Sequence, residues 1–477
     1  MMSRKVFLMS SGAFFAGRMV GATSDEARLR IGVISDVHIG RLPGWHEGDD
    51  EGYLDRVFAY FSRKNVDGVV IAGDLADWGL VAQLELVGAS WRKAFPDNRN
   101  AAGGKVEKLF VYGNHDLEGW KYGYQKRHKL PNSVFTEDCR ISTNPARAWQ
   151  RCFDEDYAPF ALKTIKGYRF VLNNRLEYGE KDTFLEDHRA ELEGERPFFY
   201  VQHFHPRGTC SAPWVWGQDA GHSTRALSRY PNAIALSGHS HTPLTDGRTF
   251  WQGEFTSVGT ASLRYLISRG GRENSFVFGV PDPRITQMPP LDWNCQHGQI
   301  ITVYDDRIVF ERHDFHDDLP LGELVMPLPF DGSLSFEHRR EIAELPRFSA
   351  DAKVSVSERR GKDRRKNETD QVVVSFPNVL KPVRAYDYEV SVEVMDVDIL
   401  KTSLAKHVYS AGCLRGSEAD VKTVECVFSK GELPLRDLIP EGGVLAAKAQ
   451  WKYRYVVRPC NCWGDKGPAI TTGWRSM

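Results

Sequence analysis

The segment RIGVISDVHIG, residues 30–40, stays apolar for the length of a strand and then stops on a carboxylate and an imidazole two positions apart. An apolar run without alternation is what a strand covered on both faces shows, and such strands lie between layers of helices. The pattern recurs along the chain. GVVIA runs into AGDLAD (72–77), KLFVY into YGNHD (112–116), PFFYVQ into VQHFHP (201–206) and NAIALS into SGHSHTP (237–243). YRFVLNN (168–174) adds a further strand, while YLDRVFAYFSRKN (53–65) and TFLEDHRAELEGE (183–195) carry apolar residues at helical spacing. The fold class read from this succession is α/β. In open α/β sheets ligands bind beyond the carboxyl ends of the strands, so five strand ends carrying Asp, Asn and His predict one shared crevice.

The residue types narrow what that crevice holds. Zinc, manganese and iron accept imidazole nitrogen together with carboxylate or amide oxygen, whereas calcium and magnesium prefer oxygen alone. Six or seven such groups exceed the needs of one ion. Two divalent ions roughly 3.5–4 Å apart, sharing a carboxylate, are therefore expected. Gly73, Gly113 and Gly238, each directly before a candidate ligand, are expected to clear side chains where the backbone turns sharply. His239 and His241 are expected on one face of an extended segment, so that one turn serves both ions.

Taken together, D-x-H at 36–38, G-D-x-x-D at 73–77, G-N-H-D at 113–116, the later histidine and G-H-x-H at 238–241 resemble the calcineurin-like metallophosphoesterase family, over residues 29–262. The resemblance implies a two-sheet αββα sandwich, a pair of divalent metal ions (Zn, Mn or Fe) and hydrolysis of phosphomonoesters or phosphodiesters by metal-activated water. It implies Asp36, His38, Asp74 and His241 around one ion and Asp74, Asn114, His203 and His239 around the other, with Asp74 the bridge. His115 would assist the leaving group as an acid, and Asp116 would orient it. In many members one residue separates the later histidine from a proline. Here Phe204 and His205 both stand between His203 and Pro206, so His205 rivals His203. Asp77 completes G-D-x-x-D and is expected to orient a histidine or the loop.

At 477 residues the chain exceeds one compact core, so two domains are expected, and a net charge of −1 excludes an overall attraction to nucleic acid or anionic membranes. Residues 1–23 place Arg4 and Lys5 ahead of an apolar stretch and read as an export signal of twin-arginine-like type, the other reading being a disordered tail. A periplasmic or secreted protein is the expectation. Eight cysteines form no C-x-x-C pair, which argues against a zinc knuckle. Residues 24–317 are read as the phosphoesterase domain, closed by a hairpin at Asp305-Asp306 between GQIITVYDD and RIVFERHDF, and 318–347 as a proline-containing connection.

In 348–477, KVSVSE, DQVVVSF, YDYEVSVEV, KTVECVF and WKYRYVVRP suit a small all-β sandwich, whose last strands are similar to those of fibronectin type III-like domains. The charged run 358–370 reads as a solvated hairpin loop. Trp45, His46, Trp120, Tyr122, Tyr124, Trp214 and Trp216 follow strand ends and either line the crevice or pack long loops. Arg175 and Arg207 stand where a phosphate clamp or a solvated surface residue would. The expected substrate is a small-molecule, lipid or nucleotide phosphoester, without nucleic-acid binding or a transmembrane anchor. Two rival readings are a non-catalytic exported scaffold that keeps a structural metal site, and a nuclease of the same superfamily.

Overall fold

A computed structural model describes residues 26–40, 42, 52–211, 217–267, 276–277, 280–281, 291–292, 295–363, 366–381, 383–396, 399–410, 422–429 and 452–476. The expected export signal, Trp45, His46, Trp214 and Trp216 lie outside them. The apolar runs are strands where the sequence placed them. In the first sheet β1 (Leu29–Ile34), β2 (Gly68–Ala72) and β3 (Glu107–Val111) run parallel. The second sheet takes β4 (Phe160–Ile165), β5 (Tyr168–Asn173), β6 (Phe198–Val201), β7 (Ala233–Ser237), β8 (Phe250–Gln252) and β9 (Thr256–Gly259), in the order β4-β5-β6-β7-β9-β8. Two short pairs follow, β10 (Leu266–Ile267) with β13 (Leu291–Asp292) and β11 (Phe276–Val277) with β12 (Val280–Pro281). The chain then returns to the first sheet as β14 (His297–Val303), β15 (Arg307–Asp314) and β16 (Leu319–Pro327), giving the order β16-β15-β14-β1-β2-β3.

Alternate residues of these strands face opposite layers. Val33, Val70 and Leu109 meet Phe199, Val201, Ile234 and Leu236 of the second sheet in one buried cluster. Ile34, Val69, Ile71 and Phe110 face the other way, beneath the helices α1 (Tyr53–Arg63) and α2 (Val81–Ala94). The far face of the second sheet packs Val171, Tyr200 and Ala235 against Leu185, Leu192 and Leu227. The result is helix, sheet, sheet, helix, as the motifs implied. The strands that end in Asp, Asn and His share one rim of this stack.

The stretch 318–347 corrects the expectation of an irregular connection. Leu319–Pro327 is the edge strand of the first sheet, and its Pro320 pairs with His313 at a register shift. An edge strand and an irregular pairing tolerate a residue without an N–H, so proline did not exclude a strand here. Beyond it lie two antiparallel sheets, β17-β18-β21 and β20-β19-β22-β23, built from β17 (Ser355–Lys362), β18 (Glu368–Pro377), β19 (Asp387–Asp396), β20 (Ile399–Tyr409), β21 (Thr423–Ser429), β22 (Lys452–Cys460) and β23 (Ile470–Thr471). Val374, Phe376, Val424 and Phe428 of one sheet meet Tyr388, Val390, Val392 and Val457 of the other. Within the run 358–370, residues 358–362 of β17 pair with 368–370 and beyond in β18, with Arg359 paired to Glu425 and Arg360 to Asp370.

The two parts of the chain meet behind the G-H-x-H turn. Arg248, buried, is held by Asp246 and donates from Nη2 to the Tyr386 hydroxyl at 3.2 Å. Leu244 packs with Tyr386 and Tyr409. Arg339 donates to Gly247 O at 2.7 Å, and Arg340 pairs with Asp465 at 2.6 Å. A buried ion pair holds only when its remaining hydrogens are satisfied, and Tyr386 contributes to that from the carboxyl-terminal side. No helix among the described residues is long and apolar enough to cross a membrane.

Candidate metal centre

The five strand ends bring their polar side chains into two adjoining clusters. After β1 and β7, Asp36 Oδ1 lies 3.0 Å from His241 Nε2 and 3.7 Å from His38 Nε2, and the two imidazole nitrogens are 3.2 Å apart. After β2, β3 and β6, His203 Nε2 lies 3.1 Å from Asp74 Oδ2, 2.9 Å from Asn114 Oδ1 and 3.1 Å from His239 Nδ1. Asp74 joins the clusters, because the same Oδ2 is 3.5 Å from His38 Nε2. The structure thus brings His203 into the site and sets its rival aside. His205 is buried behind it, with Nδ1 2.7 Å from Ser237 Oγ and Nε2 2.6 Å from Ser240 Oγ, and burial pushes its pKa down to about 4, which keeps it neutral.

The local backbone is less regular than an extended segment. β7 stops at Ser237, and both His239 (φ 70) and His241 (φ 54) are left-handed, as are Asp36 (φ 49), His38 (φ 46) and Asp74 (φ 53). His239 and His241 do serve different clusters from one turn, but through this conformation and not through the alternation of a strand. Left-handed non-glycine residues cost roughly 1–3 kcal/mol each. Asp and His enter that region more readily than most side chains. The glycines are there chiefly for room. A Cβ at Gly113 would lie 2.1 Å from Asp74 Oδ1, and one at Gly238 would lie 2.3 Å from Asp36 Oδ2. Of the three motif glycines only Gly73 has a positive φ, 93°.

Outer partners fix which nitrogens face inward. His203 Nδ1 is 2.8 Å from Ala72 O and His241 Nδ1 is 2.9 Å from Tyr265 O. A carbonyl only accepts, so each Nδ1 carries the hydrogen and Nε2 is turned to the cluster. His38 Nδ1 is held in the same way by Asp77 Oδ1 at 3.0 Å. Acceptors crowded at these distances fit a divalent pair, and mixed nitrogen and oxygen donors suit zinc, manganese or iron. Without such an ion the charges neutralise one another. Burial alone would raise Asp36, but His241, His38 and His203 hold it well below the usual carboxylate range. Burial alone would lower His203, but Asp74, Asp36 and the Ala72 carbonyl push it up to about 9. His38 is likewise held well above its ordinary value against burial by Asp36, Asp77 and Asp74. His239 is pushed well below its own by burial and then by His203.

His115 stands beside both clusters and forms a further group with His38 and Asp77. Its Nδ1 lies 2.8 Å from Asp77 O and 3.1 Å from Asp77 Oδ1, and its ring is 4.4 Å from that of His38. The carboxylate beside His115 is thus that of Asp77 and not that of Asp116. The Asp116 carboxylate turns back to accept from the N–H groups of Leu75 (3.1 Å), Ala76 (2.7 Å) and Gly113 (2.8 Å), pinning two strand ends together. Burial and the Asp74 charge push its pKa up to about 7.

A cavity of about 50 Å³ opens here, lined by Asp74, His115, His239, Ser240, His241, Tyr265 and Ile267. Tyr265 lies 4.2 Å ring to ring from His241, and no motif marked it. Of the expected aromatic rim, Tyr122 is 4.9 Å from His115 and Tyr124 donates to Asp77 Oδ1 at 3.4 Å, whereas Trp120 packs away from the site beneath Arg140. Arg175 pairs with Asp182 and so reads as a surface residue.

Residues 29–243 match the family model described as calcineurin-like phosphoesterase, so the resemblance carried by the motifs holds over that segment. Among curated proteins none matches the chain. Similar solved structures include a dimetal phosphatase from Danio rerio, at 12% identity and TM-score 0.37, covering 64% of this chain and 100% of that one. A purple acid phosphatase from yellow lupin (Lupinus luteus) seeds follows at 13% identity and TM-score 0.41, covering 63% of this chain and 53% of that one. A 5′-nucleotidase precursor from Thermus thermophilus matches at 13% identity and TM-score 0.24, over 64% of this chain and 55% of that one.

Proposed function

We propose that the protein hydrolyses phosphoesters with two divalent cations, one held by Asp36, His38, Asp74 and His241 and the other by Asp74, Asn114, His203 and His239. The observation that carries this reading is the position of Asp74 Oδ2, 3.1 Å from His203 Nε2 and 3.5 Å from His38 Nε2, between the two sets of donors. A cation pair lowers the pKa of water toward neutrality and offsets the charge of a phosphoryl group.

The chain's own residues supply the rest. Because Asp77 accepts from His115 Nδ1, the other face of the imidazole is left toward the cavity. A protonated His115 gives its Nε2 proton to the departing oxygen, while Asp77 holds the ring in plane and balances its charge. Tyr265 and Ile267 wall the cavity on the His241 side and limit the water around the reacting group. No protein nucleophile is needed.

The test is turnover of a bis-aryl phosphodiester and an aryl phosphomonoester by protein loaded with manganese or zinc, before and after chelation. Activity on at least one of them, lost with the chelator and restored by the metal, is expected. Inactivity on both with two equivalents of metal bound would overturn the reading in favour of a structural metal site.

A further inference from the structure

Among the oxygen donors at the strand ends, Asn114 alone can face its pocket the wrong way round. A carboxylate presents oxygen from either side, but an amide has one acceptor end and one donor end of nearly equal shape. Only its oxygen can ligate a cation. The neighbouring Asp74 carboxylate, by its charge, attracts the NH₂ end instead. Something outside the cluster must therefore hold the amide with oxygen inward.

Tyr122 is placed to do so. It ends the single turn Gly119–Tyr122 that follows the short helix opened by Asn114, and its hydroxyl accepts from Asn114 Nδ2 at 3.1 Å. On the other side Asn114 Oδ1 lies 2.9 Å from His203 Nε2. The tyrosine is 40% exposed, with its ring 4.9 Å from His115. Its hydroxyl is thus not needed to fill the core, and removing it leaves packing nearly unchanged.

We propose that Tyr122 is a positioning residue: by accepting from the Asn114 amide it keeps Oδ1 toward the pocket and completes the second cation site. The inference rests on the two-cation reading. Tyr122 acts through Asn114 and not on the substrate, so its loss should be read in metal binding before it is read in rate.

The experiment is a manganese titration, followed by calorimetry and by the spin coupling of the bound pair, on four full-length proteins: wild type, Tyr122→Phe, Asn114→Asp and the double variant. Wild type is expected to take up two equivalents. Tyr122→Phe is expected to keep the first and bind the second roughly tenfold more weakly, the lower end of what outer partners of metal ligands contribute. In the Asn114→Asp background, where the side chain has no wrong orientation, Tyr122→Phe is expected to change the second affinity less than about twofold. Unchanged binding in Tyr122→Phe would overturn the inference, as would the same loss in both backgrounds. A wild type that binds fewer than two equivalents would overturn the two-cation reading first, and this inference with it. Circular dichroism of each variant separates these outcomes from misfolding.

Discussion

The two clusters at the strand ends draw on the same residue types but differ in charge. Around Asp36, an unshared carboxylate meets His38 and His241, and Asp77 stands behind His38. Around Asn114 the unshared oxygen donor is a neutral amide, and the histidines are backed by a carbonyl at Ala72 and by glycine at 217. Both reach the cavity through one histidine, His241 on the first side and His239 on the second. Charge, more than the number of donors, separates them. A cation should sit more firmly on the Asp36 side.

The largest effect should come from removing what the clusters share. Asp74→Asn is expected to abolish retention of both cations, with a loss of activity beyond the roughly 10–100-fold typical of outer partners; metal analysis after gel filtration checks it, and two retained equivalents would deny the bridge. His115→Asn should leave metal content at the wild-type level and lower turnover of an aryl phosphodiester by roughly 100- to 10,000-fold. A wild-type rate would remove His115 from the mechanism. Asp77→Asn touches the Asp36 cluster through His38 and the acid through His115, so roughly 10–100-fold is expected. That loss should fall on the first cation and on turnover together, and a change confined to the second cation would reverse the ranking of the clusters. Tyr386→Phe is the mildest. It removes one hydrogen bond to the buried Arg248, worth about 1–2 kcal/mol in denaturant unfolding, with the second cation unaffected.

Much of this was legible because strand burial and ligand chemistry both leave local marks. The runs that became β1, β2, β3, β6 and β7 are apolar without alternation, and each ends on Asp, Asn or His. What stayed hidden depends on direction and not on spacing. The order G-N-H-D put Asp116 next to His115, yet successive side chains of a helical turn diverge, and both the carbonyl and the carboxylate that reach the imidazole come from Asp77, 38 residues upstream. The separation of two between His239 and His241 suggested a strand, but both residues take positive φ. Tyr265 acts partly through its backbone oxygen, which any residue carries. β16 was obscured by its prolines, and β20, ILKTSLAKHVY, by Lys and Ser placed where alternation would need apolar residues; its register comes from pairing with β19.

The Arg248–Asp246 pair lies five to seven residues beyond His241, and its phenol partner is borrowed from the carboxyl-terminal sheets. A gene cut after residue 347 would leave that guanidinium without its phenol and Leu244 without its tyrosines, so the packing behind the G-H-x-H turn would be lost with the sheets. Limited proteolysis that frees those sheets should loosen the first cation before it unfolds the strands that hold it. Tension on the far end of the chain would accordingly be transmitted, through Tyr386 and Arg248, toward the turn that carries His241.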